Sequence, residues 1–482
     1  MESLSVIIGI AVLVWGMVLL LRGGLMAGCL VTLLAGSCLG HPFLHFNVGP
    51  LPMTLDRLMI GGMALAYVYF RNFGWTDPKE IRKSDLLFGC VLAVLTLSTL
   101  THDFTYNNYA PATRLAFLWI MPAAIFWILR QSRLKESAIV VFYVWFCLFA
   151  VYLALTAIAE TQGWWAFVFP KYIVESKYQE FLGRGRGPFL NPVTNGMYMV
   201  MGAMGALMLW PRATRRMRIP LLAALGLISI GFYCTYTRSV WMSYALCCAT
   251  VMGFSMPRSW RYPALGFAAV AGILFVTMNY DRLLAFKRDK NLTAAETLDS
   301  VKLRPIFAAV AWRMFTNRPL DGCGFGRYTA DVVYHTGDRS TPLQLERARN
   351  FVQHNVFFAL LCETGLMGTV PYILMLLFWV WDGGRLWCNK NIPLYARQCG
   401  LVVISQVIVF CVNGLFHDVS LMQMANMLLF TIAGVGSGLA AEYNLRRMPS
   451  DPIPTRGRVQ ETAAPSVVGV AVLPSYDRRG GS

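Results

Sequence analysis

His354-Asn355-Val356-Phe357-Phe358-Ala359-Leu360-Leu361-Cys362-Glu363-Thr364-Gly365-Leu366-Met367-Gly368 restarts an apolar pattern that is broken from about Tyr280 to Gln353. A histidine therefore stands at the mouth of a bilayer-length helix, at the end of a polar segment carrying many arginines. Imidazole takes and gives a proton near neutral pH. Guanidinium grips phosphate with two prongs at any physiological pH. The pairing predicts chemistry on a phosphate-bearing substrate held in a membrane.

Composition around this stretch agrees. The 482 residues are 56% hydrophobic and 14% charged, with a mean hydropathy of +0.51. Soluble domains carry about 25% charged residues, so the chain reads as a polytopic membrane protein. Its formal charge of +17 does not point to nucleic acid, because the basic residues lie in short clusters between apolar runs, where positive-inside sorting puts them. The 12 cysteines lack the paired spacing of a zinc site and the loop framework of a disulfide scaffold; they read as small core residues. Met1-Glu2 offers no basic n-region and a second apolar run follows at once, so no cleavable signal is expected.

Apolar runs lie near 3–21, 24–40, 54–70, 86–100, 113–129, 138–158, 192–210, 219–234, 239–255, 263–279, 356–381, 399–413 and 421–441. With about 20 residues per crossing, they predict an all-α, polytopic transmembrane bundle of about 12 or 13 spans. The first two runs are separated only by Arg22-Gly23-Gly24. Connections holding Arg71, Lys79, Arg82, Arg130, Arg212, Arg215, Arg258, Arg385 and Lys390 alternate with nearly uncharged ones such as 41–52 and 101–113. The charge rule makes the first set cytoplasmic and puts the outer loop 160–191, the turn before Arg238 and the 280–355 loop outside. The expected organisation is thus 1–279 membrane helices, 280–355 a long, partly helical extracytoplasmic loop, 356–445 further membrane helices, and 446–482 a disordered cytoplasmic tail rich in Pro, Gly, Arg and Ser. In the long loop Pro305 is expected to start a helix, with Phe307, Val310 and Met314 as a packing stripe.

Four pieces, in order, carry a family resemblance. They are Arg184-Gly185-Arg186-Gly187-Pro188-Phe189-Leu190-Asn191-Pro192, Tyr236-Thr237-Arg238-Ser239, Asn317-Arg318-Pro319-Leu320-Asp321-Gly322-Cys323-Gly324-Phe325-Gly326, and His354-Asn355 followed, after nine intervening residues, by Gly365-Leu366-Met367-Gly368. Over roughly Arg184 to Phe430 the chain resembles bacterial O-antigen ligases and the related O-antigen polymerases. The resemblance implies a GT-C-like, metal-independent glycosyltransferase without a cofactor, in the bacterial inner membrane, with its site facing the periplasm. Its implied partners are an undecaprenyl-pyrophosphate-linked glycan as donor, a lipid or glycan acceptor, and membrane lipids.

The residues support this chemistry in different degrees. Arg184 and Arg186 either bind lipid headgroups or clamp a pyrophosphate; the pattern Arg-x-x-Gly ahead of Asn-Pro fits Arg184, and Arg186 is extra. Arg238 lies where two apolar runs meet with hardly any loop, and an arginine so near hydrocarbon faces an aqueous cavity, a partner or the membrane surface. His354 begins a helix, whose positive end favours neutral imidazole and suits a general base; otherwise it simply positions the helix. Asn355, His417 and Asp418 are supporting candidates, the His417-Asp418 pair either to orient a substrate or to meet a loop arginine. Gly365 and Gly368 are expected to let a neighbouring helix approach closely, a packing role. The Gly322–Gly326 turn follows no strand, which excludes a dinucleotide loop. Neither an Asp-x-Asp nor a His/Cys/Asp/Glu cluster indicates a metal, leaving guanidinium to stabilise a departing pyrophosphate. A lipid-glycan flippase, or an exopolysaccharide assembly factor without transferase activity, is the alternative from another class.

Overall fold

Every apolar run becomes helical. The computed structural model describes residues 2–40, 43, 45–49, 51–278, 294–337, 341–349 and 351–443; the start of the long loop at 280–293 and the tail at 446–482 lie outside them. In chain order the long helices are α1 (Glu2–Cys38), α2 (Leu55–Asn72), α3 (Lys83–Thr101), α4 (Tyr106–Leu115), α5 (Met121–Arg130), α6 (Glu136–Gln162), α7 (Pro192–Leu209), α8 (Arg215–Tyr233), α9 (Arg238–Ser255), α10 (Arg258–Met278), α11 (Ala294–Asn317), α12 (Val356–Cys388), α13 (Leu394–Gly414) and α14 (Gln423–Glu442). A π-turn at Ala116–Ile120 joins α4 to α5. Among the described residues, eight helices are long and apolar enough to cross a membrane by length and composition, the stretch Tyr106–Arg130 counting as one. Of the others, α2, α7 and α9 have 18 residues each and α10 opens with two arginines.

The first helix is a hairpin. Gly24 takes φ 72°, ψ −172°, and the two arms fold back so that a Cβ on Gly16 would lie 3.7 Å from Val31 Cγ1. Residues fifteen apart in a straight helix would be separated by about 22 Å. The two runs flanking Arg22-Gly23-Gly24 are thus packed on each other. The connection that follows carries a small antiparallel hairpin, His45–Val48 with Leu51–Thr54, a local departure from the all-helical expectation.

Hydrogen bonds and ion pairs sort the connections into two ends. At one, Arg82 reaches Asp382, Lys79 reaches Ser132 O and Glu442, and Arg212 reaches Glu136. At the other, Tyr172 donates to Cys38 O, Arg184 to Thr235 O, Asn355 to Leu415 O, and Gln423 to Asp56. The first end holds the basic connections and the second holds all four quoted motifs.

Two features of the second end build the site. Within the long loop, Phe307, Val310 and Met314 of α11 do form a buried stripe, packed on Tyr328, Val332, Leu345 and Cys362. Pro305 does not start that helix; α11 begins at Ala294 and the proline is internal. The second feature is a break in α12. Gly365 has φ 57°, ψ −152°, which frees backbone groups on either side of it, and exposed polar backbone at membrane depth is costly. The 319–324 segment satisfies them: Cys323 N donates to Cys362 O at 2.8 Å and Gly324 N to Glu363 O at 3.0 Å, while Leu366 N and Met367 N donate to Pro319 O and Leu320 O. Contact is so close that a Cβ on Gly365 would meet the Leu320 carbonyl at 2.4 Å, and one on Gly322 the Cys362 carbonyl oxygen at 2.5 Å. The glycine-rich turn is the patch over a broken membrane helix.

Candidate active site

Arg238, Arg304 and His417 line a common cavity of about 270 Å³ with Thr237, Met242 and Phe416. Three separate parts of the chain deliver these groups: the first turn of α9, the middle of α11, and the turn between α13 and α14. The guanidinium of Arg304 lies over the Phe416 ring, 5.0 Å from its centroid.

His354 stands beside this cavity, just ahead of α12. Its ring meets Phe307 edge-on at 5.0 Å between centroids, and its backbone N–H donates to Gln353 Oε1 at 2.9 Å. Gln353 in turn donates to Phe307 O, so the stripe of α11 fixes the approach to His354. Burial, followed by the positive charge of Arg304, holds the imidazole below its ordinary value. The side chain is accordingly neutral at pH 7 and able to accept a proton.

Asn355 joins the pieces. Its Oδ1 caps α12 by accepting from Phe357 N at 2.9 Å and Phe358 N at 3.1 Å, as an N-cap asparagine does. Its Nδ2 donates to Leu415 O at 3.1 Å, tying the helix start to the turn that carries His417.

The two motif arginines of the 160–191 loop sit differently. Arg184 is buried, with Nε donating to Thr235 O at 3.1 Å and Nη2 to Thr237 Oγ1 at 2.7 Å. It therefore braces the tight turn from which Arg238 starts α9. Arg186 is 0% exposed. It donates to the carbonyls of Tyr178, Glu180 and Ile173 and pairs with Glu160 at 3.6 Å. Those carbonyls belong to the 160–191 loop itself, so the guanidinium is engaged within that loop. The sequence left open which of the pair meets substrate; in the structure neither lines that cavity.

Asp418 does pair with an arginine, although not one from the long loop. Arg114, on α4, bonds Glu363 Oε1 at 2.7 Å and lies 3.6 Å from Asp418 Oδ2. Asp418 also accepts from Ser420 Oγ at 2.5 Å, which shapes the turn next to His417. Burial pushes its carboxyl up to about 6 despite the nearby Arg114. Glu363, adjacent to the break in α12, is 1% exposed, and Arg114 lies over the Phe325 ring at 4.7 Å. One guanidinium thus joins the broken helix, the glycine-rich turn and the His417 turn.

Sequence reasoning overlooked Arg304 and Arg114. Arg304 precedes the Phe307 stripe by three residues, so helical periodicity places it on or near the packed face. Arg114 opens an apolar run, and an arginine at such a position usually has a partner or a cavity. Both signals were present; the partners were remote in sequence.

Searches against curated proteins return no match. A family model described as O-antigen ligase matches residues 222–373. That segment contains Arg238, Arg304, the glycine-rich turn and His354, and leaves out Arg184, Arg186, His417 and Asp418. The match supports the O-antigen ligase/polymerase superfamily as the family of this multi-pass membrane chain.

Proposed function

We propose that the protein transfers a glycan from an undecaprenyl-pyrophosphate carrier to an acceptor hydroxyl at the outer face of the bacterial inner membrane. Membrane-bound glycan transfer follows from the family match; the carrier, the leaflet and the residue roles are this reading's own. The observation carrying it is the lining of one cavity by Arg238, Arg304 and His417, close enough to His354 for the charge of Arg304 to depress its basicity.

In this mechanism Arg238 and Arg304 hold the pyrophosphate. His354 takes the proton of the acceptor hydroxyl, whose oxygen attacks the anomeric carbon. The bond from that carbon to the pyrophosphate oxygen breaks, and the electron pair leaves with the carrier. The two guanidinium groups stabilise the charge that develops on the leaving group. Arg184 positions Arg238 through the 235–237 turn, Arg186 shapes the outer loop, and Asn355 sets the angle of His354.

Arg238→Ala is expected to lower kcat/KM for the lipid-linked donor by roughly 10- to 150-fold, the equivalent of one charge-assisted hydrogen bond, with Arg238→Lys intermediate. Transfer measured in proteoliposomes tests this; near-normal activity for Arg238→Ala removes the proposed donor site.

The pH profile gives a second check. His354 acts unprotonated, so activity falls as pH drops through its lowered pKa. Arg304→Gln removes a positive charge that disfavours imidazolium and is expected to move the acid limb to higher pH. An unmoved limb with weakened donor binding would leave Arg304 a phosphate ligand that does not act on His354.

The flippase reading gains one observation, the helix broken at Gly365 with Glu363 and Arg114 beside it, since broken helices are common at transport sites. Movement of labelled carrier across liposomes without glycan transfer would favour it. In a deletion strain, long chains stranded on the carrier indicate a ligase and loss of long chains a polymerase.

A further inference from the structure

We propose that the opposite end of the bundle binds the phosphate of an acidic glycerophospholipid. A second cavity, of about 740 Å³, opens there between the ends of α7, α9 and α12 and the starts of α10 and α13, lined by Arg258, Arg261, Lys390 and Arg397 together with Phe254 and Trp387. Among the described lining residues there is no carboxylate. The 18 residues of α9 place this cavity about 27 Å from the Arg238 turn, so it is a separate site.

The cations are arranged for an anion within reach of hydrocarbon. Arg397 is fixed, its Nε donating to Trp387 O at 3.1 Å and its guanidinium over the Trp387 ring at 5.2 Å. Arg261 spends one Nη on Met256 O at 3.0 Å, while its Nε is buried with no hydrogen-bond partner. An orphaned buried donor of that kind costs stability unless a ligand accepts from it. Arg258 and Lys390 are exposed at the rim, where they attract an anionic headgroup. The aromatic and aliphatic walls fit glycerol-linked acyl chains rather than a soluble organophosphate. The exposed apolar face of α10, with Phe267, Val270 and Ile273 all more than half exposed, leads from this cavity along the membrane depth.

The test is native mass spectrometry of the full-length protein in detergent, titrated separately with dioleoylphosphatidylglycerol, dioleoylphosphatidylcholine and glycerol 3-phosphate. The phosphatidylglycerol is expected to bind best, and R258A/K390A to weaken it roughly thirty-fold, about fivefold for each basic group. The charge-conserving R258K/K390R should keep the affinity. Unchanged binding in R258A/K390A, equal binding of the choline lipid, or loss of affinity in R258K/K390R overturns the proposal. Glycerol 3-phosphate binding as tightly as the lipid would assign the site to a soluble organophosphate and likewise overturn it. The melting temperature of delipidated R258A/K390A should equal that of the unsubstituted protein, because both side chains are exposed; a drop would make the R258K/K390R result decisive.

Discussion

Replacing His354 with alanine is expected to lower glycan transfer by about 10²- to 10⁴-fold, the usual contribution of a positioned general base, while leaving the lipid-linked donor bound. This selectivity follows from the division of labour in the site. In the proposed mechanism the donor's charges are met by Arg238 and Arg304, which line one cavity, and His354 meets only the acceptor hydroxyl. Phe307 meets the imidazole edge-on, while the Gln353 bridge and the Asn355 cap fix the backbone on which it stands. Single-turnover transfer from purified donor, with donor affinity measured in parallel, checks the expectation. Loss of donor affinity together with the rate would make His354 a binding residue instead, and a rate within about threefold of normal would end its role as base.

Arg114→Ala is expected to destabilise the fold by about 3–5 kcal/mol, the cost of breaking a buried charge set by removing one partner. Glu363 and Asp418 would both remain buried without their cation, and the turn carrying His417 would lose its anchor to the broken helix. Thermal unfolding in detergent, followed by near-UV circular dichroism, should show a clear drop in Tm. A triple variant, Arg114→Met, Glu363→Leu and Asp418→Asn, removes the charges together and is expected to recover most of that loss. An Arg114→Ala protein that melts normally would mean the cluster is hydrated and contributes little. Transfer by the triple variant then separates stability from function, since it retains Arg238, Arg304 and His354.

The family resemblance and the physical reading of the sequence converged on the same end of the molecule for a simple reason. Apolar runs of bilayer length alternate the connections between two sides, and basic clusters mark one side. Which side a motif occupies therefore follows from counting runs. Counting left the first pair of runs, parted only by Arg22-Gly23-Gly24, open as one span or two, and the backbone break at Gly24 is what separates them.

Side-chain roles were less legible. Arg184 and Arg186 are two residues apart and equally charged, yet one braces the Arg238 turn and the other disappears into loop carbonyls. That difference depends on where Thr237 and Tyr178 lie in space, which no spacing rule encodes. Gly365 was expected to admit a neighbouring helix; instead it breaks its own helix and admits the non-helical Leu320 backbone as substitute partner.

By itself, the sequence determined that the chain is a membrane helical protein, where its helices run, and that histidine and arginine gather at a common end, because hydropathy and charge act locally along the chain. The tertiary structure alone decided that Arg304 joins Arg238 at one cavity, that Arg114 ties Glu363 to Asp418, and that Arg186 serves the loop. The first two outcomes join residues tens to hundreds of positions apart, the third depends on how one loop closes on itself, and in a low-dielectric interior each buried charge settles on whichever partner the packing brings to it.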